Sequence, residues 1–325
     1  MVPLPDFIDD LGRGVFAVDT GFLRPRFDAA YLLAHNGRAA FIDTGNNHAV
    51  PRLLAALEAI GLQREAVDYV IPTHVHLDHA GGAGLLMSHL PGATMVVHPR
   101  GARHMIDPTA LYEGALAVYG PEEMERSYGR LVGIDAARVR ASQDGMDVVL
   151  GGERVLHLVD TPGHARHHHC IWDGVTRGWF TGDAFGLSCR EFDTERGAWI
   201  VPTSPPTQFE PLALRASVQR LVSFTPEWLY LTHYGRVGDV SRLATRMLSL
   251  LDAMVLIGRR ARGAADRHGV LKHELTQLYA ASLAEHGVEP TAQVLDLLSM
   301  DIELNAQGIA VWLDRQANAD TEGQA

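Results

Sequence analysis

The chain has 325 residues, 46% of them hydrophobic and 21% charged, with a formal net charge of −11. That length buries a large core in one domain or two, and the acidic balance disfavours a nucleic-acid backbone as partner. Only two cysteines occur, Cys170 and Cys189, which argues against a disulfide framework and fits a reducing compartment.

Gly14 to Val18, Ala29 to Ala34 and Ala39 to Ile42 are short β-rich runs separated by Gly, Asn or charged residues, and they predict the first strands of a sheet. Asp43-Thr44-Gly45-Asn46 closes the third, and Ala49 to Ile60 has helical periodicity. Val67 to Ile71 predicts a buried strand stopped by Pro72, and Ala83 to Leu90 a helix ending at Pro91-Gly92. Between them lies Thr73-His74-Val75-His76-Leu77-Asp78-His79-Ala80-Gly81-Gly82. On extended backbone His74 and His76 point the same way, while Asp78 and His79 fall past the bend. Gathering so many polar groups is costly unless something binds them, so a metal site is expected here. Thr94 to His98 predicts another strand, with His98 as its terminal residue rather than a ligand.

From Arg100 to Leu131 the pattern loosens, with short helices expected at Ala110 to Val118 and Glu122 to Arg130. Residues 100–131 form either a lid over the site, with Tyr112 and Tyr119 at its entrance, or an ordinary surface excursion. Strand signals resume at Asp147 to Leu150, Val155 to Val159, Cys170 to Trp172, Gly178 to Thr181 and Leu229 to Leu231. The ends of the later strands carry Thr161-Pro162-Gly163-His164, Gly182-Asp183 and Thr232-His233. Strand-end turns along one edge are where an α/β sheet places its chemistry. After Asp239, Val240 to Arg262, Asp266 to His286 and Thr291 to Gln316 have helical spacing. The expected domains are therefore 1–239 and a helical extension 240–316, with a frayed tail at 317–325. The first ten residues lack the apolar run of a signal peptide, and no run of about 18 apolar residues suggests a membrane span. A cytoplasmic protein with no membrane partner is expected.

With Asp43, His74-x-His76-x-Asp78-His79, His164, Asp183 and His233 in this order, the chain resembles the metallo-β-lactamase fold superfamily, specifically its two-metal hydrolase branch, from about residue 15 to 235. The resemblance implies an α/β fold, a four-layer αββα sandwich, here with the C-terminal helical extension. It implies that His74, His76 and His164 hold one divalent metal ion, that Asp78, His79 and His233 hold a second, and that Asp183 bridges them. Asp43 is implied to support the ligands without binding metal. Imidazoles with carboxylates suit two Zn²⁺ ions first, with Fe or Mn as alternatives. The implied reaction is hydrolysis of an ester, thioester or lactone of a small molecule by a hydroxide bridging the metals, with Asp78 and Asp183 as the catalytic carboxylates.

Departures narrow the branch. The second-metal Cys of many β-lactamases is replaced by Asp78-His79. The Tyr that quorum-signal lactonases place three residues past the bridging Asp is Gly186 here. The glyoxalase II helical domain has a counterpart, but the final ligand motif, Thr232-His233-Tyr234-Gly235, differs. Alternatives on the same fold are an iron-dependent oxidoreductase of the persulfide dioxygenase kind, or a phosphodiesterase. Tyr234 and one of His167, His168 and His169, best His168, are candidate substrate contacts, although strand alternation and core packing also account for them. A homo-oligomer formed through the helical extension is expected.

Overall fold

The computed structural model describes residues 3–206 and 208–322. The chain divides into two compact units: Met1–Asp160, His167–Gly182 and Thr225–Gly238 form the first, and Thr161–Arg166, Asp183–Phe224 and Asp239–Ala325 the second.

The first unit contains both sheets. In chain order the first sheet comprises β1 (Ile8–Asp10), β2 (Val15–Asp19), β3 (Ala29–His35), β4 (Arg38–Ile42), β5 (Val67–Ile71), β6 (Thr94–Val97) and β7 (Val139–Ala141), each beside its sequence neighbour. β1 to β4 form an antiparallel meander, and β4 to β7 run parallel. Asn36 and Gly37, both at positive φ, make the tight turn between β3 and β4 that right-twisted strands favour. Parallel neighbours need crossovers, which α1 (Val50–Ala59), the single turn α2 (Leu77–Ala80) and α3 (Ala83–His89) supply.

β3 shows no polar alternation because both its faces are covered. Ala30 and Leu32 pack with Leu53, Leu57 and Leu86 from the helices. Ala29, Tyr31 and Leu33 pack with Leu156, Leu158 and Phe180 of the second sheet. That sheet runs in the order β13-β12-β11-β10-β9-β8, from β8 (Met146–Leu150), β9 (Arg154–Asp160), β10 (His169–Asp173), β11 (Gly178–Gly182), β12 (Trp228–Leu231) and β13 (Gly235–Val237). At one end of β9 and β10, Arg154 meets Asp173 in a fully buried bidentate pair, with N···O distances of 3.0 and 2.6 Å.

Residues 100–131 are more helical than the sequence suggests. α4 (Pro99–Ile106), α5 (Thr109–Tyr119), the short α6 (Pro121–Glu123) and a π-turn at Met124–Tyr128 follow one another. Met124 and Tyr128 are buried against Phe22 and Leu77, with Leu111, Tyr112 and Leu116 half-covering them.

The second unit holds α7 (Pro211–Ser223), α8 (Val240–Ala261), α9 (Arg267–His286), α10 (Ala292–Asp296) and α11 (Ser299–Glu322). The helices after residue 239 share this unit with 161–166 and 183–224. Trp199 donates its Nε1–H to Ser282 Oγ at 2.9 Å, and Asn305 donates to the Pro202 carbonyl at 3.2 Å and accepts from Ser204 Oγ at 2.8 Å. The expected single helix over 291–316 is broken at Leu297 and Leu298, where Leu298 is fully buried. The helix after that break continues through Glu322, beyond the tail boundary expected at 317, while 323–325 lie outside the described residues. Among the described residues no helix is long and apolar enough to cross a membrane.

Candidate metal centre

β5 ends at Ile71 before Pro72, and the chain then bends at Thr73 and His74 before His76 caps α2. His74 Nε2 and His76 Nδ1 consequently converge to 2.8 Å. Past the bend, Asp78 Oδ2 lies 3.8 Å from His79 Nε2 and 3.4 Å from His233 Nε2, the latter residue following Thr232 beyond β12. One ligand atom from each of Asp78, His79 and His233 lies within 4.8 Å of the others.

The protonation of these rings follows from what their other nitrogens touch. His79 Nδ1 lies 2.9 Å from Asp43 Oδ2, and His233 Nδ1 lies 3.1 Å from the Phe27 carbonyl oxygen. Both partners are acceptors, so each Nδ1 carries a proton and each ring turns its Nε2 toward Asp78. This is the arrangement metal-ligating histidines need.

Asp43 is the hub of the first unit's site. It sits just past β4 at φ +55 and is buried. It accepts from Thr73 N at 2.6 Å, Thr73 Oγ1 at 3.0 Å, His79 Nδ1 at 2.9 Å and Thr232 Oγ1 at 2.8 Å. The ends of β4, β5 and β12 are thereby tied to one carboxylate. At the end of β11, Gly182 has φ +46, and a Cβ there would come within 2.5 Å of Thr73 Oγ1 and 2.7 Å of His168 Nε2. Only glycine allows that approach.

In the second unit His164 and Asp183 face each other, with Nε2 to Oδ2 at 3.4 Å. Thr203 Oγ1 lies 2.7 Å from His164 Nδ1 and donates to the Asp183 carbonyl at 3.4 Å, so it accepts from the imidazole and fixes the same tautomer.

Two candidate substrate contacts, His168 and Tyr234, are buried. His168 is fully buried, its ring stacked 4.9 Å from that of His74. Tyr234 is 4% exposed and belongs to the core between the sheets. Of the neighbouring histidines, His169 bridges Ser142 Oγ and the Pro72 carbonyl at 2.9 Å each, and burial lowers its pKa to about 4. Tyr112 is half-buried against the apolar cluster and Tyr119 is exposed.

Sequence reasoning missed Asp28, which no motif flags. Its side chain is wholly buried, accepts from Thr20 Oγ1 at 2.8 Å through Oδ2, and has no hydrogen-bond partner for Oδ1 among the described residues. Loss of hydration raises its pKa from 3.8 to about 7, against the opposing pull of His233 and His79. The unfolded chain releases this proton near pH 4 and the fold retains it to about pH 7. Stability of the metal-free protein therefore falls as pH rises through that window, by at most about 1.4 kcal/mol per unit, and levels off above it. Asp28→Asn is expected to flatten the profile between pH 4 and 7 and to exceed the wild type at pH 8 in urea denaturation. An unchanged slope would show that Asp28 is ionised in the fold.

A two-sheet α/β protein with histidines and carboxylates clustered at its strand ends is the class these features define. The profile of the Metallo-beta-lactamase superfamily matches residues 23–233, and the chain belongs to that superfamily. Its members are mostly metal-dependent hydrolases, and its fold, an αββα sandwich, carries C-terminal helices in this chain. The metallo-beta-lactamase fold-containing protein ST1585 of Sulfurisphaera tokodaii is 26% identical over 69% of this chain and 80% of its own length. A hydroxyacylglutathione hydrolase of Acidiphilium cryptum is 29% identical over 62% of this chain and 62% of its own. Among solved structures, the metallo-beta-lactamase family protein TTHA1429 of Thermus thermophilus superposes with a TM-score of 0.67 at 18% identity, covering 95% of both chains.

Proposed function

We propose that the protein is a dinuclear zinc hydrolase that cleaves the ester, thioester or lactone bond of a small molecule. The observation that carries this reading is the pair of imidazoles, His79 and His233, whose Nδ1 protons are committed elsewhere and whose Nε2 atoms face Asp78. A donor set of neutral imidazole nitrogen and carboxylate oxygen fits Zn²⁺. His74, His76 and His164 would hold one ion, Asp78, His79 and His233 the other, and Asp183 both. Chain continuity supports the set. Asp183 directly follows Gly182, whose backbone abuts Thr73 and His168, and His164 lies three residues before His167, whose ring is 5.4 Å from that of His76. When bound, the ions supply an ionised water at neutral pH and positive charge for the developing oxyanion.

The chain's own residues do the rest. Asp43, the Phe27 carbonyl and Thr203 hold three imidazoles in orientation. Asp78, its side chain 24% exposed, is open to substrate and placed to take up the proton released as water adds to the acyl carbon. Removal of an acyl group from glutathione is the activity named for the Acidiphilium relative, which favours an acyl carbonyl as the centre attacked.

Metal analysis of protein purified without added metal, followed by a panel of aryl esters, thioesters and lactones, tests the proposal. Two zinc ions per chain are expected, with His79→Ala and Asp183→Ala each lowering kcat/KM on the order of 10³-fold. A single iron without zinc, or variants as fast as the wild type, would overturn it.

A further inference from the structure

Three consecutive histidines, His167, His168 and His169, meet the ligand-bearing stretch from Pro72 to His76 one by one. His169, the first residue of β10, donates its backbone N–H to the Thr73 carbonyl and its Nε2–H to the Pro72 carbonyl, each at 2.9 Å. Burial keeps this ring neutral, and its Nδ1 accepts from Ser142 Oγ at 2.9 Å, so both nitrogens are engaged. The His168 ring is stacked 4.9 Å from that of His74. The His167 ring meets that of His76 edge-on at 5.4 Å, and its Nδ1 accepts from Val75 N at 3.5 Å. Thr73 is thereby gripped at both ends of its backbone, its N–H by Asp43 and its C=O by His169. A buried strand position needs no imidazole, since an aliphatic side chain fills such space without two polar nitrogens to satisfy. What the imidazole adds is a donor on the carbonyl two residues ahead of His74, just past the last residue of β5. A ligand whose backbone and ring neighbours are already fixed loses less freedom when an ion binds.

We propose that His167, His168 and His169 are positioning residues that set His74 and His76 in place for a metal ion, with the His169–Pro72 bond as the principal tie. This role rests on the metal-centre reading, but its test needs no turnover. Full-length His169→Leu, similar in size but without either ring hydrogen bond, is expected to bind zinc about 10- to 100-fold more weakly in competition with a chromophoric chelator. Its visible spectrum with Co²⁺ should also depart from that of the wild type, because the ligand geometry has changed. His169→Gln, whose amide reaches toward the Pro72 carbonyl, should return the affinity to within about threefold of the wild type and restore the Co²⁺ spectrum. If His169→Leu does not fold, His167→Ala, in the turn before β10, takes its place, with an expected loss of at least about threefold. A variant that is less stable in urea yet matches the wild type in zinc affinity and Co²⁺ spectrum would overturn positioning in favour of a packing role. A Gln variant no better than the Leu variant would overturn the hydrogen bond as the tie. Wild-type protein that takes up neither ion would overturn the metal centre itself, and this role with it.

Discussion

Asp43→Ala is expected to cost about 3–5 kcal/mol of stability and to weaken zinc binding 10- to 100-fold. The first effect follows from the donors left behind. Thr73 N and Oγ1, His79 Nδ1 and Thr232 Oγ1 all lose a buried acceptor. The alanine must also adopt φ near +55, a region that disfavours L side chains other than Asn and Asp. The second effect follows from His79, which becomes free to rotate or to protonate Nε2 once Nδ1 has no carboxylate. Urea denaturation gives the first quantity, and competition with a chromophoric chelator gives the second. Undiminished zinc affinity would mean that Asp43 is a fold-stabilising residue alone.

Arg154→Ala should cause a comparable loss, about 3–5 kcal/mol, with zinc affinity held within twofold. The guanidinium and the Asp173 carboxylate are both fully buried, and truncating one strands the other in a region of low dielectric. Thr176 Oγ1 still donates to Asp173 at 2.6 Å, which limits the damage without replacing a positive charge. Arg154 opens β9 and Asp160 closes it, so the pair lies roughly 20 Å along the strand from the end that leads to His164. A loss of metal affinity equal to that of Asp43→Ala would show that the two ends of the sandwich are not independent.

The contrast between these two residues bears on what the sequence reveals. Asp43, His74 and Asp183 are legible because each closes a short β-run at a Thr- or Gly-bearing turn, and the repeated pattern is itself the signal. The long helices α8 and α9 announce themselves by spacing. Arg154 and Asp173 are paired only by strand register, and neither lies in a motif. Asp28 is hidden for a similar reason, since Thr20 meets it only by closing a loop that no motif marks. His168 and Tyr234 stand close to His164 and His233 in the sequence, yet a two-residue period does not distinguish a side chain facing an open site from one facing the neighbouring sheet. Helix α7 has Leu214, Val218 and Leu221 at helical spacing, but the Pro-, Ser- and Thr-rich residues ahead of it read as loop. Nothing local marks 161–166 and 183–224 as partners of helices far downstream.

Those downstream helices set an order of events during synthesis. A ribosome that has reached Gly238 has already translated every strand of both sheets and the Asp43 clasp, while Asn305 and Ser282, which fasten Ser204, Pro202 and Trp199, are still untranslated. The stretch from Trp199 to Ser204, which carries the Thr203 hydroxyl beside His164 Nδ1, thus waits for the final helices before it is anchored. A chain stopped before Ser282 is expected to keep both sheets while losing the fastening of Trp199 and of the Pro202–Ser204 stretch.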